Sequence, residues 1–263
     1  MKLLYPLIVL LLSCSTDPKD GAINNFESFY VSDINTSTNG ISSTTNILIE
    51  FSNPLDVDDF ILLNETYTDS DGDVIEQDFT SALKYFEQES SFLTLNNISH
   101  NFWYDDLTNT IAIIMTSMNN NCTIEDGILN ENENNLFLSN LIKDVDGNPL
   151  IEVEYIITKD SQVNLCIAPN PTNINSLLNS ENGSLNFYMD DVPEEYTLNI
   201  YDLNDNLISS QDNNHIAAEL NTYAQWSGGT INPEFELSYG FYKIKLFNNY
   251  NNLLIQNVIV ISY

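Results

Sequence analysis

The side chains best suited to chemistry in this sequence are carboxylates. Asp69-Ser70-Asp71-Gly72-Asp73 puts three of them on a short segment that reads as a turn. Carboxylate oxygens grouped in this way suit Ca²⁺, a hard cation that takes about six to eight oxygen ligands. Asp69, Asp71 and Asp73 are therefore candidate metal ligands, and Ca²⁺ is the only candidate cofactor. The segment is not an EF-hand loop: Gly72 follows Asp71 at once, and Thr80 stands where the twelfth position needs Glu. The same residues also read as a solvated acidic hairpin tip. Asp144-x-Asp146 is a second, shorter cluster. A rise in thermal stability in millimolar Ca²⁺ supports the metal reading, and no shift ends it.

Other reactive side chains are sparse. The two histidines, His100 and His215, have no partner at metal-ligand spacing, and neither an HExxH motif nor a Cys-His cluster occurs. There is no G-x-S-x-G elbow and no phosphate-binding loop. A glycosidase needs only two carboxylates, but among 38 acidic residues some pair at catalytic spacing is expected by chance. No catalytic residue is assigned, and the expectation is a chain without enzyme activity. His100 lies in SHNFWYDD beside Phe102, Trp103 and Tyr104. These aromatics suit either a sugar-stacking surface or the filling of a core. Cys122 and Cys166 sit in loop-like contexts and form a candidate disulfide, with two separate thiols as the alternative.

The charge balance excludes one class of partner. The 38 acidic residues face seven basic ones, all Lys, for a net charge of −31. No basic patch is available to neutralise phosphates, so nucleic acid is not an expected partner. Anionic lipid headgroups would repel the folded part for the same reason. There are 39 Asn residues, a type favoured in turns and loop tips, where it tolerates left-handed backbone.

Residues 1–14 read MKLLYPLIVLLLSC. Lys2 precedes an apolar run from Leu3 to Leu12 that is shorter than the roughly 20 residues of a bilayer-spanning helix. It fits the apolar core of a signal peptide. Leu11-Leu12-Ser13-Cys14 resembles the lipobox of bacterial lipoproteins. That resemblance implies cleavage after residue 13 and lipid attachment at Cys14. Several acyl chains anchor firmly, because each buried methylene adds about 0.8 kcal/mol. Residues 14–25 then form a polar tether. The expected location is the bacterial outer membrane or cell surface, held by lipid, with a secreted form as the alternative.

Period-two alternation places strands along the rest of the chain. Ile47, Ile49 and Phe51 share a face opposite Glu50. Ile111, Ile113 and Met115 alternate in the same way. Ile151, Val153, Tyr155 and Ile157 lie opposite Glu152 and Glu154. Leu185, Phe187 and Met189 form another face, as do Tyr242, Ile244 and Leu246 opposite Lys243 and Lys245. NVIVISY, from 257 to 263, is continuously apolar up to its last residues, as expected of a strand buried on both sides. Residues 78–88, DFTSALKYFEQ, are the one candidate for a short helix. Polar turns separate the runs, and Pro169 and Pro171 interrupt ladder pairing near 160–172. The reading is all-β: two tandem Ig-like β-sandwiches after a cleaved signal peptide, over 26–163 and 164–263.

Two resemblances sharpen this reading. NILIEFSNPLDVDDF (46–60) and LIKDVDGNPLIEVEYIIT (141–158) resemble a strand and the closing hairpin of bacterial Ig-like domains of surface-layer and cell-wall proteins. Residues 164–263 are similar to the Ig-like C-terminal domain shared by flagellar hook-capping proteins and type IX secretion cargo. That likeness rests on Ala168-Pro169-Asn170-Pro171, LNIYDLNDNLI (198–208), Trp226 before Gly228-Gly229, and SYGFYKIKLF (238–247). The Gly of the family's Asp-x-x-Gly turn is replaced by Asp205 or Asn206, and a Lys near the end of the module is missing. The resemblances imply a lipid-anchored structural or adhesive envelope protein. A type IX secretion client, with 164–263 as its address to the machinery, is the first alternative. A glycan-binding accessory protein is the second. Expected partners are the membrane through the lipid, and an envelope protein or glycan.

Overall fold

Strands form along the alternating runs, because a pleated segment with one apolar face must bury that face. The computed structural model describes residues 28–37, 40–62, 66–68, 74–76, 83–87, 92–114, 129, 133–161, 163–168, 170, 172–173, 185–193, 195–214, 222–226 and 238–262. In chain order the first strands are β1 (Val31–Ile34), β2 (Ile47–Phe51), β3 (Ile61–Leu62), β4 (Thr66–Thr68), β5 (Val74–Glu76) and β6 (Leu83–Glu87). Then come β7 (Leu93–Leu95), β8 (Ile98–Ser99), β9 (Phe102–Asp105), β10 (Thr110–Ile113), β11 (Asn134–Leu138) and β12 (Val153–Ile157). A second group comprises β13 (Asn164–Ala168), β14 (Thr172–Asn173), β15 (Leu185–Asp190) and β16 (Glu195–Tyr201). It ends with β17 (Leu207–Asn214), β18 (Thr222–Trp226), β19 (Gly240–Asn248) and β20 (Leu253–Ser262). Two short 3₁₀ turns, at 35–37 and 57–59, are the only helical elements among the described residues.

The chain is all-β, with two Ig-like sandwiches. In the first, a six-stranded sheet (β1-β2-β10-β9-β6-β3) faces a four-stranded one (β12-β11-β7-β8), and β4 pairs with β5 alone. Ile47, Ile49, Phe102, Tyr104 and Ile111 from one sheet meet Leu93, Leu95, Leu136, Leu138 and Ile157 from the other. Phe60 stands edge-on to both Phe92 and Phe102, with ring centroids 5.2 Å apart in each pair. In the second sandwich, β13-β15-β18 faces β14-β20-β19-β16-β17. Leu165, Ile167, Phe187 and Met189 pack there against Leu198, Ile200, Ile244 and Ile259. Among the described residues all strand pairs are antiparallel except β14 with β20.

The expected helix over 78–88 is not formed at its centre: Leu83–Glu87 is strand β6. Leu83 and Phe86 are buried three residues apart, which imitates helical spacing. The two side chains lie on opposite faces of one strand, because both faces of the six-stranded sheet are covered.

Asx turns give several of the Asn and Asp residues a structural role. Asp144 is fully buried in the 141–150 hairpin. Its Oδ1 accepts from the backbone N–H groups of Asp146 and Asn148, and its Oδ2 from the side-chain amides of Asn148 and Asn53. Gly147 takes φ +79° in the same turn. Asp205 takes φ +61° where the related turn carries Gly, and Asp202 accepts from both nitrogens of Asn206 beside it.

Candidate functional site

The place where residues distant in sequence converge is the seam between the sandwiches. An apolar cluster occupies it. Leu48, Leu83, Trp103 and Ala112 from the outer face of the first sandwich meet Phe241, Val258 and Val260 from the second. Trp103 is 2% exposed, and the Tyr85 ring lies 5.0 Å from its own. β20 is therefore apolar on both faces: Ile255, Ile259 and Ile261 fill the second core, while Val258 and Val260 fill the seam. The continuous NVIVI run has this cause.

Beside the apolar cluster runs a polar segment, Gly40 to Asn46, that lies along the open edge of β20. The Gln256 N–H donates to Gly40 O at 3.0 Å, and Thr45 Oγ1 donates to Gln256 O. Asn46 Nδ2 donates to Val258 O at 2.9 Å. Asn257, 2% exposed, ties the junction together. Its oxygen accepts from the N–H groups of Asn46 and Val258, each at 2.8 Å. Its amide donates to Thr44 O and Leu165 O. Further along the edge, Asn170 bonds Val258 O and the Val260 N–H, and β14 follows. A strand edge left open invites pairing with another chain, and here the first sandwich closes it. Ser42, Thr44, Thr45 and Asn46 are all at most 1% exposed, a burial that polar groups tolerate only when hydrogen-bonded.

The connection between the sandwiches is held as well. Asp160 Oδ1 accepts from the N–H groups of Gly40 and Ile41, and the N–H groups of Asp160 and Ser161 donate to Ile41 O. The Ser161 hydroxyl lies 2.7 Å from Leu254 O. Gly40 has φ +91°, and a Cβ there would sit 3.1 Å from Gln256 N, so only glycine fits this approach.

A cleft of about 230 Å³ opens at one end of the seam. Asp33, Glu50 and Thr110 stand on its first-sandwich wall, and Asp205, Lys243 and Lys245 on the other. Leu48, Leu203 and Leu253 provide apolar lining. Lys243 Nζ donates to Leu203 O at 2.9 Å, and Lys245 Nζ donates to Asp205 Oδ1 at 3.0 Å while standing 5.0 Å over the Tyr201 ring. Partial burial works to raise the Asp205 pKa. The Lys245 hydrogen bond and the two lysine charges outweigh it and hold the carboxyl below its usual range.

The residues singled out from sequence fall elsewhere. Cys14, Asp69, Asp71, Asp73, Cys122 and His215 lie outside the described residues. Cys166 is fully buried in β13 and disulfide-bonded. No group of three metal-ligating side chains occurs among the described residues. In the second acidic cluster, Asp144 is surrounded by N–H donors, a set that satisfies a carboxylate and leaves no room for a cation. Those donors outweigh burial and lower its pKa. Phe102 and Tyr104 fill the first core and Trp103 fills the seam, so the aromatic run offers no sugar-stacking face. Burial, offset in part by a hydrogen bond from the Leu55 N–H, pushes the Tyr104 pKa up to about 12. Burial likewise lowers the pKa of His100. The seam residues carry no local sequence signal. Their one trace is the two-sided apolar character of β20.

No protein-family model matches the chain, and no curated protein matches it in sequence. Among solved structures it is similar to dimeric latent PorU from Porphyromonas gingivalis, with TM-score 0.29 and 11% identity over 89% of this chain and 20% of that one. It is similar to native Escherichia coli alpha-2-macroglobulin, with TM-score 0.29 and 13% identity over 90% of this chain and 14% of that one. A third is PorZ, described as an essential bacterial surface component of the Porphyromonas gingivalis type IX secretion system. The values for PorZ are TM-score 0.26 and 10% identity, over 85% of this chain and 36% of that one. The chain thus spans a minor part of each of these proteins. At these scores the likeness carries no argument about function.

Proposed function

We propose that the chain is a non-enzymatic, lipid-anchored protein of the bacterial envelope, in which the two sandwiches act together as one rigid structural or adhesive element. Cys14 carries the lipid, and 14–25 is the tether. The observation that supports this reading is the closure of the β20 edge by residues 40–46 of the first sandwich. A removable sorting address needs to fold and leave as a unit. Taking 164–263 away would strip β20 of its edge cover and expose Trp103, Phe241 and Val258 to water. An element that stands off a membrane and bears load needs the opposite property, a junction that does not flex. The acidic surface keeps such an element soluble and apart from its copies.

The test is the intact mass of the native protein extracted from membranes. A mass equal to residues 14–263 plus acyl groups is expected. A mass missing 164–263 overturns the reading and makes the second sandwich a secretion signal.

A further inference from the structure

We propose that the cleft at the seam is a binding site for a small zwitterion, an amino acid or short peptide, whose ammonium faces Asp33 and Glu50 and whose carboxylate faces Lys243 and Lys245. This goes beyond the structural role and does not depend on it. One wall of the cleft holds a destabilising feature. Asp33 on β1 and Glu50 on β2 are direct cross-strand partners. Like charges at such positions repel, and strands normally place opposite charges there. Both side chains are exposed at the cleft wall. Neither accepts a hydrogen bond or forms an ion pair among the described residues.

The opposite wall has the complementary charge. The chain has only seven basic residues, and two of them, two positions apart on β19, line this one cleft. Their ion pairs are made to Asp205 on their own sandwich, not across the gap. Lys245 commits one N–H and Lys243 two, which leaves donors on both ammonium groups for a ligand. The two walls thus face each other with opposite sign and without direct contact. The space between them suits a molecule with two charged ends. A simple anion meets Asp33, Glu50 and a net charge of −31, while a simple cation gains from one wall only, since the lysine wall keeps one positive charge after Asp205 is counted.

The size and rigidity of the site fit the same class. At about 230 Å³ the cleft is smaller than the pockets of drug-sized ligands, which are roughly 300–1,000 Å³. The floor is pre-formed: Gln256 Nε2 donates to Asn35 O at 2.8 Å, and Asn35 bridges Asn46 O and the Leu48 N–H. The leucines of the lining suit an aliphatic side chain. Sites of this kind occur preferentially between domains.

The experiment is calorimetric titration of the full mature chain with alanyl-alanine, with its N-acetyl form, and with its C-terminal amide. Binding of the free dipeptide is expected, weakened about tenfold when either end is blocked, as for loss of one charged hydrogen bond. Glu50→Gln should abolish discrimination against the N-acetyl form alone, and Lys245→Gln discrimination against the amide alone. Glu50 bonds nothing else, so its variant folds as the parent does, and melting curves verify this. Absence of binding, equal binding of the blocked forms, or replacement of the dipeptide by CaCl₂ as the Glu50-dependent ligand overturns the proposal.

Discussion

Asn257→Leu tests the seam most directly. The asparagine amide makes four hydrogen bonds in a site 2% exposed. Leucine has a similar shape, so it occupies the space and keeps water from replacing the amide. The substitution removes the acceptor of the Asn46 and Val258 N–H groups and the donor to Thr44 O, all three buried. Leu165 O keeps the Thr44 hydroxyl, at 2.8 Å. Three buried polar groups deprived in this way cost about 1–3 kcal/mol each, about 6 kcal/mol together. Burying the leucine side chain returns roughly 2 kcal/mol. The net loss is about 4 kcal/mol, which for a chain of this size lowers Tm by about 8–16 °C. Scanning calorimetry measures the shift, and trypsin cleavage after Lys159 reports whether the connection has loosened. A Tm within about 1 °C of the parent, with unchanged cleavage, refutes the claim that this residue locks the sandwiches together.

Gly40→Ala should be destabilised by about 2 kcal/mol or more, since alanine at φ +91° is strained and its Cβ presses on the β20 backbone; urea unfolding measures it. Asp144→Asn places an NH₂ against the amide donors of Asn53 and Asn148 and should cost about 2 kcal/mol at neutral pH. The folded pKa of Asp144 lies below its ordinary 3.8, so its contribution is present above that value and is lost as pH falls through the folded pKa. The deficit of the variant should therefore shrink as pH falls below 3.8, as urea titrations at descending pH would show. Thiol labelling of the unreduced, unfolded mature chain lacking the Cys14 thiol should find no free cysteine, and Cys122→Ser should release one, at Cys166. A rise of Tm in millimolar Ca²⁺ that Asp71→Asn abolishes would support ion binding by Asp69, Asp71 and Asp73, and no rise would end that reading.

Much of the fold was legible because one-sided burial writes itself into sequence as alternation. Ile47, Ile49 and Phe51 behind Glu50, and Tyr242, Ile244 and Leu246 behind the two lysines, are buried as their spacing requires. Two-sided burial was legible only in part. The apolar run of β20 announced two covered faces but not what covers the second. In β6, Leu83 and Phe86 serve different cores, and the combined spacing looked helical. The seam was illegible because its polar half, Ser42 to Asn46, has the composition of a surface loop. Its burial depends on Gln256, Asn257 and Val258, which local pattern cannot link to it. The cleft was hidden for the same reason: Glu50, Lys243 and Lys245 each look like the solvated face of a strand.

The closure of the β20 edge also has a temporal side. Thr45 and Gln256 are 211 positions apart, so the early part of the chain waits for almost everything after it before its last hydrogen bonds can form. Contacts of such separation carry a large loop-closure cost and belong to slow-folding topologies. Until residues 256–258 arrive, Ser42 to Asn46 remain hydrated and the outer face of β2, with Leu48, is bare. A nascent first sandwich is thus a half-finished object, and chains stalled before the final strand should be the ones that cling to chaperones.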